Sequence, residues 1–196
     1  IPHSINQQYT ASPIDKTKIW VHVSDVHTAY NGNSAVHANW VDTATGYNFT
    51  RIRASRHNSM LVYGLYEDKV YTLTTSPTTG AITVAEIADL GSATIAALDI
   101  WEDYDDPNLL TVIGTYANTM NIWRSTDGGT TFNKAGEPVV SGATYAGKEL
   151  YGSYGVKESY MGCSIDTTNH VLRIMHTQDK GVTWNTEVVP AGLYTW

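Results

Sequence analysis

The chain has 196 residues, of which 42% are hydrophobic and 16% charged, and its formal net charge at pH 7 is −7. These fractions are typical of a folded protein and exclude a disordered chain. Its 12 lysines and arginines are scattered along the sequence. Nucleic acids and anionic membrane surfaces attract clustered positive charge, so we expect neither as a partner.

Other bulk features limit the class of protein further. The single cysteine, Cys163, excludes an intrachain disulfide framework and a cysteine-based zinc site. No run of 18 or more apolar residues is present, so the sequence predicts no membrane insertion. The first residue is Ile1 and not methionine, and we therefore expect either a processed chain or a part of a longer polypeptide.

Short alternating segments, rich in β-branched and aromatic residues, follow one another along the chain and are separated by turn residues. They fall into four units, at about residues 18–53, 55–90, 93–137 and 147–189. No segment of sufficient length has helical periodicity. The sequence therefore predicts an all-β protein of four antiparallel, meander-like units, with strands at 18–24, 35–41, 49–53, 60–66, 69–75, 81–88, 94–101, 109–116, 120–125, 132–134, 148–156, 159–165, 171–177 and 184–189.

Two turns, at residues 125–132 and 177–184, share the pattern Ser/Thr-x-Asp-x-Gly-x-Thr-aromatic. Such a spacing suits a tight hairpin turn. The carboxylate and the hydroxyl accept backbone hydrogen bonds, the glycine takes a positive φ, and the aromatic residue starts the return strand. Degenerate copies occupy residues 42–49 and 76–83. The residues that carry the two complete patterns are Ser125, Asp127, Gly129, Phe132, Thr177, Asp179, Gly181 and Trp184.

These two turns resemble the Asp box, or BNR repeat, of sialidases and related β-propellers. The resemblance covers about residues 18–189 as four blade-like units, and the turn glycines recur at intervals typical of propeller blades. It implies a β-propeller or propeller segment of about four antiparallel blades, in which the Asp boxes are structural and lie between the third and fourth strands. Sialidase-like propellers have six blades. Three accounts therefore stay open: a four-bladed ring, a part of a larger chain, or an open array completed by other subunits.

Catalytic chemistry of the sialidase kind would need three arginines, a Tyr–Glu pair and an acidic proton donor. Arg51 and Arg53 distantly resemble the arginine motif of sialidases, but the proline of that motif is missing, and we interpret them as part of a charged return strand. We interpret the acidic run at 102–107 as a solvated loop, with calcium binding as the alternative. The sequence therefore predicts no catalytic residues, and a sialidase-like glycoside hydrolase fragment is the alternative hypothesis.

Three histidines, His22, His27 and His37, lie in the first unit without a spacing typical of metal ligands. We interpret them as surface residues, with His22 pointing outward from its strand. The sequence thus predicts neither a metal site nor a cofactor.

Aromatic residues in or near loops are the remaining candidates for a binding site, because binding residues concentrate on loops. Flat aromatic faces beside asparagines suit sugars. The sequence therefore predicts a non-catalytic module that binds carbohydrate or a protein partner, secreted or on the surface of a virus or phage particle. A homo-oligomer or larger assembly is compatible with this, and a purely structural scaffold is a further alternative. The candidate ligand-binding residues are Tyr30, Asn31, Asn33, Tyr104 and Tyr145.

Overall fold

Four antiparallel sheets make up the protein in a computed structural model that describes residues 8–22, 26–29, 40–92, 95–116, 119–135, 145–152, 159–166 and 171–189. Within these ranges the regular structure is entirely β-strand. Sheet 1 contains β1 (Gln8–Ala11), β2 (Ile19–His22), β3 (Val26–Ala29) and β4 (Trp40–Thr43). Sheet 2 contains β5 (Arg51–Ala54), β6 (Leu61–Tyr66), β7 (Lys69–Thr75) and β8 (Ile82–Asp89).

The second half of the chain repeats this arrangement. Sheet 3 contains β9 (Ala96–Glu102), β10 (Leu110–Tyr116), β11 (Thr119–Ser125) and β12 (Asn133–Lys134). Sheet 4 contains β13 (Tyr145–Gly152), β14 (Tyr160–Asp166), β15 (Val171–Thr177) and β16 (Asn185–Val188). In every sheet each strand pairs with the next one along the chain, so each sheet is a four-stranded meander.

The sheets stand side by side with their first strands together. Strand β1 contacts β5, β5 contacts β9, and β9 contacts β13. The fourth strand of each sheet therefore lies on the outer side. Three apolar clusters fill the spaces between sheets 1 and 2, between sheets 2 and 3, and between sheets 3 and 4.

Alternation of side chains along the strands explains why the inner sheets are buried on both faces. In sheet 2, Val62 and Leu73 face sheet 1, whereas Leu65 and Val70 face sheet 3. All four side chains have no exposed surface. Successive residues of a strand point to opposite faces, so a strand between two neighbouring sheets has to be apolar at every position and not only at alternate ones.

The first unit differs from its prediction. The segment 49–53 was expected to return to the first sheet, but β5 pairs with β6 and is the first strand of sheet 2. The preceding turn at Gly46, with φ 76°, leads to Phe49, which is completely buried between sheets 1 and 2. Phe49 fixes the point at which the chain passes from sheet 1 to sheet 2. Sheet 1 instead begins with β1, which precedes the predicted units, and it also contains β3, which lies between two of the predicted strands.

The prediction for His22 is also wrong. Its side chain has no exposed surface and lies on the face of sheet 1 that packs against sheet 2. The ring meets Phe49 edge to face at 5.8 Å between centroids. Strand β2 therefore alternates with Trp20 and His22 inward, which is the reverse of the expected orientation. The side chain of His27 and all of His37 lie outside the described residues.

Candidate functional site

A cavity of about 160 Å³ lies where the first strands of sheets 1, 2 and 3 meet. Its wall on sheet 1 is the end of β1 with the turn that follows, and its other walls are the C-terminal ends of β5 and β9. Because each wall belongs to a different sheet, the cavity depends on the packing of all three. Its lining includes Thr10, Pro13, Arg53, Arg56, Tyr63, Trp101 and Glu102.

An aromatic ring and a guanidinium form one side of this cavity. The guanidinium carbon of Arg56 lies 3.9 Å from the centroid of the Trp101 ring. Trp101 is half-buried, and its ring lies 6.5 Å from that of Tyr160 in sheet 4. A cation held over an indole in this way is stabilised by the ring quadrupole. The stacking fixes a flat surface with polar N–H groups at its edge.

Glu102 is the carboxylate of the cavity, and it is almost completely buried. It accepts hydrogen bonds from the Ser55 hydroxyl at 2.9 and 3.0 Å, from the Tyr63 hydroxyl at 2.9 Å and from the backbone N–H of Arg56. All of these donors belong to sheet 2 or to the turn after β5. Burial, and then the charge of Glu102, raise the pKa of the Tyr63 hydroxyl. Glu102 therefore fastens sheet 3 to sheet 2.

A second buried carboxylate, Asp99, also joins sheet 3 to sheet 2. It lies on β9, three residues before Glu102. Arg53 donates to both of its oxygens, from Nε at 2.9 Å and from an Nη at 2.7 Å. Arg51 approaches the same carboxylate at 3.5 Å. Asp99 has no exposed surface, whereas the two arginines retain 24% and 30%. This bidentate geometry is the strong form of an Arg–carboxylate pair.

Asp103 makes the corresponding connection on the other side, toward sheet 4. Its carboxylate accepts a hydrogen bond from the Tyr160 hydroxyl and lies 3.9 Å from Nζ of Lys180. Burial alone would raise the pKa of Asp103, but the Tyr160 hydroxyl and the N–H groups of Asp105 and Asp106 together hold that pKa below its usual value. Neighbouring residues 102 and 103 thus hold sheets on opposite sides of sheet 3.

These contacts correct two interpretations of the sequence. The acidic run 102–107 is not simply a solvated loop, because its first two side chains are buried and hydrogen-bonded. Arg51 and Arg53 are not a charged return strand but cross-sheet partners of Asp99. Both errors have one cause: the sequence shows the charges but not the partners on the neighbouring sheet that make their burial tolerable.

The two patterned turns connect the third and fourth strands of sheets 3 and 4. In the first turn, Ser125 Oγ donates to Asp127 Oδ1 at 2.7 Å and accepts from the Gly129 N–H at 2.9 Å. The Thr131 N–H and hydroxyl donate to the two oxygens of Asp127 at 2.9 and 2.6 Å. Gly129 has φ 92°, and a Cβ there would lie 2.7 Å from Cδ1 of Ile87. Phe132 packs on the core between sheets 2 and 3.

The second turn has the same geometry. Thr177 Oγ1 donates to Asp179 Oδ1 at 2.6 Å and accepts from the Gly181 N–H at 3.1 Å. The Thr183 N–H and hydroxyl donate to Asp179 at 2.9 and 2.5 Å. Trp184 packs beside the core between sheets 3 and 4 and donates from Nε1 to the Gly181 carbonyl at 3.1 Å. In each turn one carboxylate thus organises the backbone.

Acid is expected to weaken these turns. The Thr131 hydroxyl and N–H lower the pKa of Asp127 to about 2, and the hydroxyls of Thr177 and Thr183 do the same for Asp179. The folded-state values lie below the unfolded value of about 3.9, so the ionised carboxylates stabilise the fold above about pH 4, and this contribution is lost toward about pH 2. We expect the urea midpoint to fall over that interval.

The matched variant replaces Asp127 and Asp179 together by asparagine. It should lose part of the acid dependence of the urea midpoint, while other carboxylates with lowered pKa values, such as Asp103, retain the rest. A double variant with the full wild-type dependence between about pH 4 and 2 would show that these turns do not carry the effect.

The candidate ligand-binding residues are not brought together by the described part of the structure. Tyr104 is 59% exposed in the loop after β9, two residues from Glu102. Tyr145 is the first residue of β13, opposite Asp166. Tyr30, Asn31 and Asn33 lie outside the described residues. Their role in binding therefore stays a prediction.

The described residues form neither a metal-binding cluster nor a membrane-spanning helix. Among them, no group of three or more His, Cys, Asp or Glu side chains is arranged to hold a metal ion. No helix in the described part of the chain is long and apolar enough to cross a membrane.

Solved structures of similar fold identify the architecture. A GH74 enzyme from Niastella koreensis superposes on 90% of this chain with a TM-score of 0.61 and 12% identity. A GH74 xyloglucanase from Xanthomonas campestris superposes on 93% of it, with a TM-score of 0.50 and 8% identity. The chain folds as blades of a β-propeller. Each of the four sheets is one blade, and the first strands line the inner side.

The comparisons show the fold and not the activity. A sialidase from Streptococcus pneumoniae superposes less well, with a TM-score of 0.47 at 14% identity over 85% of this chain. The chain spans only 23% of the Niastella enzyme, 38% of the Xanthomonas enzyme and 23% of the sialidase. No protein-family model matches the sequence, and no curated protein matches it either.

Proposed function

We propose that this chain is a propeller module that binds carbohydrate without cleaving it. The observation that carries the proposal is the cavity between the first strands of blades 1, 2 and 3. In it the stacked Trp101 and Arg56 lie beside Glu102, whose two carboxylate oxygens already accept hydrogen bonds. Ligand sites are concave, with a few polar groups fixed in position. This cavity is concave and combines apolar lining residues with polar groups that other contacts hold in place.

The size of the cavity suits a small unit of a glycan. At about 160 Å³ it is below the roughly 300–1,000 Å³ of sites for drug-sized ligands. We expect it to take one sugar ring or the end of a chain. The indole offers an apolar surface, and the Arg56 guanidinium offers N–H donors to sugar hydroxyls. Both side chains are held in place before any ligand arrives, which reduces the entropic cost of binding.

The occupied carboxylates favour binding over hydrolysis. Glycoside hydrolysis requires a carboxylic acid that donates a proton and a second carboxylate on the opposite side of the bond. Both oxygens of Glu102 already accept hydrogen bonds from sheet 2, and both oxygens of Asp99 accept from Arg53. Neither carboxylate is available to exchange a proton with a ligand unless the contacts between blades 2 and 3 break.

The role of the two patterned turns, the location of the protein and the absence of a cofactor are proposed from the sequence. We propose that the turns at 125–132 and 177–184 are Asp boxes with a structural role, supported by their shared hydrogen bonds and their place between third and fourth strands. A secreted or virion-surface location is part of the same proposal, as is the absence of a cofactor. It is supported only by the kind of module that the fold suggests.

Calorimetric titration with oligosaccharides tests the proposal. Xyloglucan oligosaccharides are suitable probes, because a similar structure is that of a xyloglucanase. Sialyllactose is the probe for the sialidase-like alternative. We expect Trp101→Ala to weaken binding at least about tenfold, or 1.4 kcal/mol. Arg56→Ala should also weaken it, and this variant keeps the backbone N–H that binds Glu102.

The control is Tyr116→Ala, which removes an exposed ring at the opposite end of the same sheet. It should bind like the wild type. Unchanged affinity in both cavity variants, with their folds intact, would contradict the proposed site. Release of reducing sugar by the wild type would contradict the non-catalytic role and favour the glycoside hydrolase alternative.

A further inference from the structure

The turns that follow the first strands of blades 1, 2 and 3 share one geometry. Each begins with a side chain that accepts hydrogen bonds from the backbone N–H groups two and three positions later: Ser12, Ser55 and Asp103. The N–H of the same residue donates to the carbonyl six positions later. The second residues of the three turns are therefore equivalent in position, and they are Pro13, Arg56 and Tyr104.

Two of these equivalent residues line the cavity, and the third lies one blade further on. Pro13 and Arg56 line it from blades 1 and 2. Tyr104 has the same place on blade 3, and it is 59% exposed. Neighbouring sheets pack about 10 Å apart, so Tyr104 stands about that distance beyond Arg56, at the same end of the propeller.

His57 joins the turn of Arg56 to the turn of Tyr104. Its Nε2 lies 2.9 Å from the carbonyl oxygen of Asp103, the residue directly before Tyr104. A carbonyl oxygen only accepts, so Nε2 donates, and Nδ1 of the neutral imidazole is then an acceptor. His57 is exposed. The surface between Arg56 and Tyr104 therefore carries an acceptor as well as an aromatic ring.

These groups complement those of the cavity. Inside it, both oxygens of Glu102 already accept hydrogen bonds from sheet 2, and the Arg56 guanidinium supplies donors. Outside it, His57 accepts and the Tyr104 ring offers an apolar face. A sugar carries hydroxyl groups, which donate and accept, on a ring with apolar C–H faces, so a glycan can use both sets of groups.

We propose that His57 and Tyr104 form a second sugar subsite beside the cavity. One unit of a glycan lies in the cavity against Trp101, and the next part of the same glycan crosses His57 and lies on the ring of Tyr104. This inference rests on the proposed function and narrows its ligand class to an oligosaccharide. Tyr104 is exposed, so its ring can bind without any rearrangement of the core.

Titrations with ligands of two lengths, followed by calorimetry and by the indole N–H signals in NMR, test this subsite. Glucose and xylose are components of xyloglucan and reach only the cavity, whereas xyloglucan oligosaccharides reach both subsites. We expect the wild type to bind the oligosaccharides more tightly than either monosaccharide. Tyr104→Ala should weaken oligosaccharide binding about tenfold and leave monosaccharide binding unchanged, because only the longer ligand contacts the ring.

Matched variants separate the ring of Tyr104 from other causes. Tyr104→Phe keeps the ring and should bind both lengths like the wild type. His57→Ala should weaken the binding of oligosaccharides more than that of monosaccharides. Tyr116→Ala removes an exposed ring at the other end of blade 3 and should change neither affinity.

Trp101→Ala distinguishes failure of the subsite from failure of the proposed function, since it should weaken the binding of both lengths. If it does so while Tyr104→Ala changes neither affinity, or weakens both equally, the cavity binds sugar and the second subsite is wrong. If the wild type binds none of these ligands, the proposed function is contradicted and this inference with it.

Discussion

Replacing Glu102 by alanine is expected to lower the free energy of unfolding by about 3–5 kcal/mol, because each buried donor left without an acceptor costs about 1–3 kcal/mol. The substitution leaves the Ser55 hydroxyl, the Tyr63 hydroxyl and the Arg56 N–H without their acceptor. Ser55 and Tyr63 are at most 4% exposed, so water cannot easily replace the lost carboxylate. Urea unfolding followed by far-UV circular dichroism measures the change.

The matched control is Glu86→Ala on β8. Glu86 also accepts a hydrogen bond from a side chain, Lys69 at 2.9 Å, but it is 43% exposed. Exposed ion pairs contribute about 0–1 kcal/mol, so this variant should unfold close to the wild type. Equal destabilisation by the two substitutions would show that Glu102 is not a buried connection between blades 2 and 3.

Replacing Asp99 by alanine is expected to cost about 3 kcal/mol, toward the lower end of the range for broken buried pairs. The change removes the acceptor of a bidentate Arg53 contact and the charge beside Arg51. The two arginines keep 24% and 30% exposure, so water can hydrate them in part, which is why the expected loss is smaller than for Glu102.

Asp89→Ala is the control for Asp99, because Asp89 is 52% exposed and lies 4.0 Å from Lys69. It should change the urea midpoint little. The Arg53→Ala variant adds a further check, since it leaves Asp99 buried with fewer donors and should also destabilise the protein. A wild-type midpoint in both Asp99→Ala and Arg53→Ala would contradict the interface as described.

The fold could be predicted from the sequence because its signals are local. A turn such as 125–132 shows its hydroxyl, carboxylate, glycine and aromatic residue within eight consecutive positions, and strand alternation is visible over seven. These features depend on residues close together in the chain. They indicated the all-β class and the meander, and the propeller followed by resemblance.

Which segments form the strands of sheet 1 could not be predicted in the same way. Strand β1 has four residues, Gln8–Ala11, and its partner strand begins eight positions later at Ile19. Much of its attachment to blade 2 comes from side chains: Gln8 accepts from the Ile52 N–H at 3.0 Å, and Thr10 accepts from the Ala54 N–H at 3.0 Å. Polar residues that satisfy a neighbouring strand edge look like loop residues in a sequence.

The site could be predicted least, because its contacts join residues far apart in the chain. Glu102 and its partner Ser55 are 47 positions apart, and Asp99 and Arg53 are 46 positions apart. A charged residue is exposed by default, and burial becomes tolerable only with a partner in place. Trp101 lies on a predicted strand, where core packing is the default use of an aromatic residue, and only the structure shows that it also lines the cavity.

The most direct test of the proposed binding site is a titration of the isotope-labelled chain with xyloglucan oligosaccharides, recorded on the tryptophan indole N–H signals by NMR. The chain has six tryptophans, and Trp101→Phe identifies the signal of Trp101 by its disappearance. The account predicts a saturable shift of that signal, with Trp184, in the outer turn of blade 4, unchanged. A shift confined to other tryptophans, or no shift with any oligosaccharide including sialyllactose, would contradict it.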